Sequence, residues 1–420
     1  MSGHIEDRWH VTVEGDDGRP AKKQAARFGK GLRYRVRWTD PDGAERSKSF
    51  PDKQKGAAER FLTRVSADML EGTYLDPEAG NETLRSYANR WLESRAHEAT
   101  SRQTMRHRLD KHILPALGGK RLAQIRPSTV AGWNKGLKVA PSYKAVLLHN
   151  LSGILNAAVD DGLIRRNPCR ADSVKTPAVV KKKLKAWPTA WVDGMRAAIE
   201  AGEWLPEGRR KTARYAALVD AGSGLGLRQG ECLGLPVDAI TIGNVHVRVQ
   251  IRIVCGRLVF APPKANRERD VPLTQDVARA LNDHMAGWPP RLVTLPWLEP
   301  GGEPRTERLI FTNSRGSAIS RTAFSSQLWI PARKAAGIPA VRANGTHALR
   351  HYYASVLLAG GVDIEALSEY LGHHDPGFTL RIYGHMRPAA EGRALKMIEA
   401  AFAAERSAAD GPQAARKAAD

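Results

Sequence analysis

Leu371-Gly372-His373-His374-Asp375-Pro376-Gly377-Phe378-Thr379-Leu380-Arg381-Ile382-Tyr383-Gly384-His385 is the stretch from which the organisation of this 420-residue chain can be read outward. A carboxylate followed by proline starts a helix. Asp375 can cap it, Pro376 can open it, and the short helix then bears Tyr383 and holds its phenol in place. A phenol ionises near pH 10, so removing its proton at neutral pH costs roughly 4 kcal/mol. Nearby arginines and a histidine acting as base remove much of that cost. Both kinds of group stand upstream. Thr346-His347-Ala348-Leu349-Arg350-His351 puts His347 and Arg350 on one helical face, behind a Thr346 cap. Gly226-Leu227-Arg228-Gln229-Gly230-Glu231 supplies a second arginine, and Pro263-Lys264 supplies a lysine just beyond a strand.

These segments, taken in order, resemble the motifs of tyrosine recombinases of the phage-integrase type. Gly226–Leu235 is similar to the family's first arginine motif, and Pro263–Leu273 to its hairpin-lysine motif. Thr346–His351 matches the HxxR box. Leu371-Gly372-His373, with Tyr383 ten positions after His373, matches the last box. HxxR arises by chance in many chains; four motifs in order, behind a basic helical region, are specific. The resemblance spans most of the chain and is firmest over 215–390.

It implies a site-specific DNA recombinase that cuts and rejoins strands through a covalent 3′-phosphotyrosyl link, driving integration and excision without ATP, metal or cofactor. Tyr383 is then the nucleophile. Arg228 and Arg350 clamp the phosphate, Lys264 protonates the departing 5′ oxygen, His347 is the base for Tyr383, and His373 donates a hydrogen bond to the phosphate. The residue chemistry agrees, because a guanidinium is permanently charged and its planar fork fits two phosphate oxygens. No GxxxxGK[ST] is present, as suits a bond that conserves the energy of the one it replaces.

Blander readings stand beside each residue. Arg228 can be an i,i+3 partner of Glu231, Arg350 a solvent-facing position, and Lys264 a turn lysine replaced by Arg267 or Arg269. His374 competes with His373; Tyr352, Tyr353 and Tyr370 are better core candidates than Tyr383. His347 and His351 have the i,i+4 spacing of a zinc helix, but Ala348 stands where its glutamate belongs. Three functional alternatives remain: a catalytically weak DNA-binding regulator of the same family, a type IB topoisomerase and a metal nuclease.

Composition supports a nucleic-acid partner. Lys and Arg number 65 against 44 Asp and Glu, a net charge of +21. Ala99–Val159 holds ten Lys or Arg and a single acid, Asp110, and Arg19–Arg37 holds no acid. Such one-sided runs differ from the mixed signs of an ordinary solvated face. Arg33, Arg35, Arg37, Arg102, Arg106, Lys111 and Lys144 are the candidate DNA contacts. No apolar run approaches the ~18 residues of a membrane span. Cys169, Cys232 and Cys255 are too scattered for a disulfide framework or metal knuckle. A cytoplasmic location is expected.

The fold class expected is multidomain. Residues 1–75 read as a small α+β domain, a three-stranded sheet plus a helix, with strands around Trp9–Val13, Tyr34–Trp38 and Ala44–Phe50. Residues 82–168 read as all-helical, and 186–400 as mixed and mainly α, with a small antiparallel sheet whose one clear strand is Val245–Ile253. Lys181–Lys185 reads as a tether and 401–420 as a flexible tail. By resemblance the first part is an arm-type DNA-binding domain, the second a SAM-like core-binding domain and the third the catalytic domain. A homotetramer on double-stranded attachment-site DNA and an accessory DNA-bending or excision factor are further implied.

Overall fold

The computed structural model describes residues 3–14, 20–41, 43–72, 74–76, 79–95, 99–178, 184–206, 212–386, 399–400 and 402–403. The expected tail, apart from residues 402 and 403, and the lysines 181–183 of the expected tether lie outside the described residues. The chain divides into two compact units, residues 1–180 and 181–420.

The first unit contains two hydrophobic clusters. In the N-terminal one, strands β1 (His4–Asp7), β4 (Tyr34–Thr39) and β5 (Glu45–Phe50) form an antiparallel sheet in the order β1-β4-β5. Alternation buries Tyr34, Val36 and Trp38 against α1 (Lys55–Leu70), which contributes Ala58 and Val65. Trp9–Val13 does not supply the third strand. It falls in β2 (His10–Glu14), which pairs with β3 (Pro20–Gln24) as a separate hairpin. Val11 and Val13 stay exposed there, so their alternation buries nothing. Asp7, ion-paired to Arg33, anchors His4–Asp7 beside β4 instead.

The second cluster is helical. Thr83 caps α2 (Leu84–Ser94) by accepting from the Ser86 amide, and Leu84, Tyr87, Ala88, Trp91 and Leu92 form its buried face. The basic helix α3 (Ala99–Arg108) buries none of its residues. It continues through a π turn, Leu109–Ile113, into α4 (Leu114–Leu117), and the change of pitch turns Leu109, Ile113, Leu114 and Leu117 inward. Helices α5 (Pro127–Gly136) and α6 (Pro141–Asp160) complete the bundle, both opened by proline.

The second unit begins with α7 (Thr189–Ala201), α8 (Ala217–Gly224) and α9 (Gln229–Leu233). Strands β6 (Ile240–Thr241), β7 (Asn244–Val247), β8 (Gln250–Val254), β9 (Arg257–Ala261) and β10 (Arg269–Pro272) follow. After α10 (Gln275–Gly287) come β11 (Arg291–Pro296) and β12 (Pro304–Leu309). The unit ends with α11 (Arg321–Ala323), continued by a π turn into α12 (Ile330–Ala335), and with α13 (His347–Ala359), α14 (Ile364–Leu371) and α15 (Pro376–Tyr383).

Where sequence alternation promised one strand over 245–253, the chain breaks at Arg248-Val249. β7 joins a sheet of order β10-β7-β6, whereas β8 pairs only with β9. Arg248 sits at the break and is drawn out to Glu307 and Asp238, each at 2.8 Å. The single expected sheet is therefore three small antiparallel ones, β11-β12 being the third. Their inner faces join the helices in one core, where Trp187 stacks on Trp329 at 5.8 Å between ring centroids. Among the described residues, no helix is long and apolar enough to cross a membrane.

Leu151 is fully buried in the helical cluster. Leu151→Ala should lower the stability of the first unit by about 2–5 kcal/mol, as truncating a core leucine does. Urea unfolding followed by tryptophan fluorescence reads it; an unchanged midpoint contradicts the assignment of this core.

Candidate active site

Three consecutive carbonyls at the C-terminal end of α14 organise the site. A helix leaves its last carbonyls without partners, and negative partial charge gathers there. Here arginines meet them. Arg269 Nε donates to Tyr370 O at 2.7 Å, Arg350 Nη2 donates to Leu371 O, and Arg228 Nη2 donates to Gly372 O at 3.1 Å. Gly372 ends the helix in the left-handed conformation at φ 58°, which turns the chain sharply into His373.

Glu231 holds two of these cations, Arg228 and Arg269. Its carboxylate accepts from Arg228 Nη1 at 2.8 Å and from Arg269 Nη2 at 2.7 Å, and also from the Arg228 amide at 2.9 Å. The residue is buried. Burial alone opposes its charge, but Arg269, Arg228 and Arg350 overcome that penalty and bring its pKa down to about 2. Arg228 thus makes the local pair with Glu231 and also reaches the helix end.

Arg350 is 1% exposed on α13. Its Nη1 donates to Gly226 O at 2.8 Å, its Nη2 lies 3.1 Å from His373 Nε2, and its Nε has no partner. Burial and the neighbouring Arg228 push its pKa down, yet a guanidinium keeps its charge across the working range. Gly226 is required for this contact. It sits at φ 59°, and a Cβ there would lie 2.4 Å from the Tyr353 ring. The expected Thr346 cap is absent: its backbone is helical, not in the extended conformation of a capping residue, and its side chain makes no cap bond.

The nucleophile candidate approaches from α15. Asp375 caps that helix, accepting from the Gly377 amide at 2.8 Å, as its sequence implied. Tyr383 closes the helix and is 1% exposed. Burial raises its pKa to about 12, against the pull of Arg350 and Arg228. Its hydroxyl lies 2.8 Å from His351 Nδ1. His373 Nδ1 lies 2.8 Å from Thr379 Oγ1 on the same helix, and burial followed by Arg350 lowers its pKa to about 3.

Arg228, Arg350 and His373 are therefore joined by direct bonds or adjacent carbonyls, and Tyr383 reaches them through His351 on the Arg350 helix. Lys264 stands exposed in the turn between β9 and β10, where Ala265 and Asn266 have φ of 62° and 53°. Non-glycine residues rarely adopt this conformation. Arg267, just beyond, donates to His373 O at 3.1 Å and ties the turn to the last motif. His347 is exposed, and its ring meets that of His351 edge-on at 4.8 Å. The sequence assigns the phenol's base to His347, whereas the hydroxyl's hydrogen-bond partner is His351, which sequence spacing offers only for a zinc helix. Among the described residues no three metal-ligating side chains converge.

The candidate DNA contacts fall in the first unit. Arg33 is held by Asp7 and Asp52, Arg35 by Ser47, and Arg37 by Glu45. Arg106 donates to Asn89, Arg102 to the Arg95 carbonyl, and Lys144 to the carbonyls of Asn134 and Lys135 at the end of α5. Lys111 is exposed.

Residues 204–389 match the family model described as the phage integrase family, and residues 83–138 match the phage integrase N-terminal SAM-like domain. The chain belongs to the phage integrase family. It is 28% identical over 388 residues to the prophage phiRv2 integrase of Mycobacterium tuberculosis, covering 89% of this chain and 94% of that one. A family relative from Mycobacterium phage D29, named integrase, is 25% identical over 71% of this chain and 74% of its own length. Among solved structures, the Tn1549 transposon integrase with transposon right-end DNA aligns with TM-score 0.59 and 18% identity, over 76% of this chain and 99% of that chain. A lambda integrase tetramer on a Holliday junction aligns with TM-score 0.54 and 15% identity, over 84% and 92%. At these identities the likeness is one of fold.

The depressed histidines of this integrase-family site give a pH prediction. His351 and His373 have folded pKa values of about 4 and about 3, below the ordinary 6.5, chiefly from burial. Between these values the unfolded chain binds more protons than the folded one, so stability is full above pH 6.5 and declines as pH falls toward 4. Urea midpoints of the second unit should fall over that window, and His373→Phe should flatten the fall. A wild-type midpoint that stays level between those limits contradicts the burial of neutral imidazoles.

Proposed function

We propose that this chain is a tyrosine-type site-specific recombinase that cleaves and rejoins DNA through a 3′-phosphotyrosyl intermediate at Tyr383, serving integration and excision of a phage or other mobile element. Family membership supports the activity. The observation that carries the residue assignment is the arginine set, with half-buried Arg228 and buried Arg350 on neighbouring carbonyls beside His373. A scissile phosphodiester gains charge on its non-bridging oxygens in the transition state, and fixed cations stabilise that charge without reorganising at the moment of reaction.

In this reading Tyr383 Oη attacks phosphorus, the bond to the 5′ oxygen breaks, and Lys264 gives that oxygen a proton. His373, one nitrogen turned to Arg350, donates to a phosphate oxygen once the anion raises its affinity for a proton. The phenol's proton passes to one of the two α13 histidines, His347 and His351, which stand one turn apart. Resealing reverses the steps, with no ATP, metal or cofactor drawn upon.

The rest of the assembly follows the family. Residues 1–75 are an arm-type DNA-binding domain, 82–168 a core-binding domain and 186–400 the catalytic domain. Arg33, Arg35, Arg37, Arg102, Arg106, Lys111 and Lys144 contact phosphates, which position a duplex without reading its sequence. Those with carboxylate or carbonyl partners exchange them for phosphate on binding. Related integrases are seen on DNA, one as a tetramer on a Holliday junction, and recombination between two duplexes requires the same assembly here. An accessory DNA-bending or excision factor acts with it, in the cytoplasm where its DNA lies.

Trapping the protein covalently on a nicked duplex should succeed in EDTA, and Tyr383→Phe should abolish the adduct while leaving DNA affinity nearly unchanged. An adduct that persists in Tyr383→Phe, or strict dependence on a divalent ion, contradicts the assignment. Arg228→Ala and Arg350→Ala should each slow single-turnover cleavage by at least ~10²-fold. Arg350→Lys should restore little, because an ammonium lacks the bidentate fork; wild-type cleavage by that variant would rule out the clamp.

A fragment starting at Asn81 lacks the separate N-terminal core but keeps every proposed catalytic residue. It should still form the Tyr383 adduct and lose recombination that depends on distal sites, with a shallower salt dependence on long DNA. A folded fragment that fails at cleavage as well would refute the modular division.

A further inference from the structure

We propose that His351, rather than His347, accepts the proton of the Tyr383 phenol during strand cleavage. The proposal rests on the reading of Tyr383 as nucleophile and assigns that site's general base. His351 lies on α13 immediately after Arg350, and its Nδ1 is 2.8 Å from the Tyr383 hydroxyl, within the range from which a base can take a proton directly. The two rings are 5.6 Å apart and tilted by 57°, so the contact is made edge to hydroxyl, not by stacking. Among the described residues no hydrogen bond connects His347 to the phenol. Its exposed ring instead meets the His351 ring edge-on, and the interplanar angle is 90°.

The charged and titratable groups facing His351 come from two helices. Tyr383 faces it from α15, and His347 and Arg350 flank it on α13. Burial comes first among the influences that keep its imidazole neutral, and the flanking His347 and Arg350 act in the same sense. A base must be neutral before it acts, and a neutral ring with its proton on Nε2 presents the Nδ1 lone pair to the phenol. The phenol, held protonated by its own burial, needs an acceptor at the moment of attack.

The step balances as follows in atoms and charge. As Tyr383 Oη bonds to phosphorus, its proton passes to His351 Nδ1 and leaves an imidazolium. The bond from phosphorus to the 5′ oxygen breaks, and that oxygen takes its proton from Lys264. The incoming phosphate's negative charge offsets the imidazolium in the half-buried site. On rejoining, a 5′ hydroxyl attacks and gives its proton to the neutral Lys264 amine, the bond from phosphorus to Tyr383 Oη breaks, and His351 returns its proton to the phenolate.

A general base and a group that merely aims the phenol make different predictions. The test is single-turnover adduct formation by the full chain on a nicked duplex carrying the junction that the wild-type protein cleaves, from about pH 6 to 9, around the neutral range in which a phenol is protonated. His351→Ala and His351→Gln should both be at least ~10²-fold slower, with DNA affinity retained. Their rates should climb about tenfold per pH unit, because hydroxide must now remove a proton from a group that ionises above this range. The wild type and His347→Ala should climb less steeply. Glutamine can accept the phenol's hydrogen bond but cannot carry its proton away. Wild-type rate and pH dependence in His351→Gln would reduce His351 to an aiming contact and overturn the proposal, as would the steep dependence appearing in His347→Ala alone. Should the alanine variant fail to fold, the glutamine variant decides. Failure of the underlying reading is recognisable separately: the wild type would then form no adduct, or Tyr383→Phe would form one.

Discussion

Glu231 and the C-terminal end of α14 together fix where positive charge stands in the second unit. Arg228, Arg269 and Arg350 repel one another and would not share a dry site unaided. Glu231 accepts from Arg228 and Arg269, and the carbonyls of Tyr370, Leu371 and Gly372 take one guanidinium each. Removing one partner from such a buried set leaves an uncompensated charge, which is far more costly than the set is stabilising. The arrangement is therefore rigid before any substrate arrives. Fixed charge of this kind does not reorganise during a reaction, which suits it to the proposed phosphoryl transfer.

The same burial that sharpens these charges works against the proposed nucleophile. Tyr383 is held protonated, and the histidines around it are held neutral. The resting site consequently contains an acid and a base in contact, neither ionised. Arg350 and Arg228 already draw the phenol toward ionisation, but burial outweighs them. An anionic phosphate placed against these arginines favours a neighbouring imidazolium, so proton movement is coupled to substrate arrival. Asp375, by capping α15, supports this contact at a distance, since it sets where the helix begins and hence where Tyr383 ends.

The first unit solves a different problem. Its basic residues are seldom free in the resting chain: Arg33 holds two carboxylates, and Lys144 caps the end of α5. The unburied helix α3, attached to the core through a π turn, presents its cations without giving up apolar contacts. The cations proposed to meet DNA and the apolar residues that hold the bundle thus lie on different faces.

Local chemistry was legible in the sequence. Asp375-Pro376 announced α15, the apolar spacing announced α2, and the alternation of Tyr34, Val36 and Trp38 announced the buried strand, because capping and amphipathic period depend on neighbouring residues. The ordered motifs around Arg228, Lys264, Arg350, His373 and Tyr383 pointed to the proposed site, where the fold brings Arg228, Arg350 and His373 together. What sequence could not reveal depends on which surfaces meet. Alternation over Val245–Ile253 looks the same whether the strand continues or breaks at Arg248; only the distant partners Asp238 and Glu307 decide it. Trp9–Val13 has a strand's pattern, but nothing local says that His4–Asp7 will take the place beside β4. His347 and His351 are equivalent by spacing, one turn apart on one face, and only the packing of α15 against α13 determines which imidazole the phenol meets. Whether Arg350 faces solvent or the site was open on local spacing alone; the end of α14, 21 residues along the chain, decides it. Period and capping are set by short-range geometry, whereas pairing, burial and proton contact are set by long-range packing, which this sequence specifies only through the folded whole.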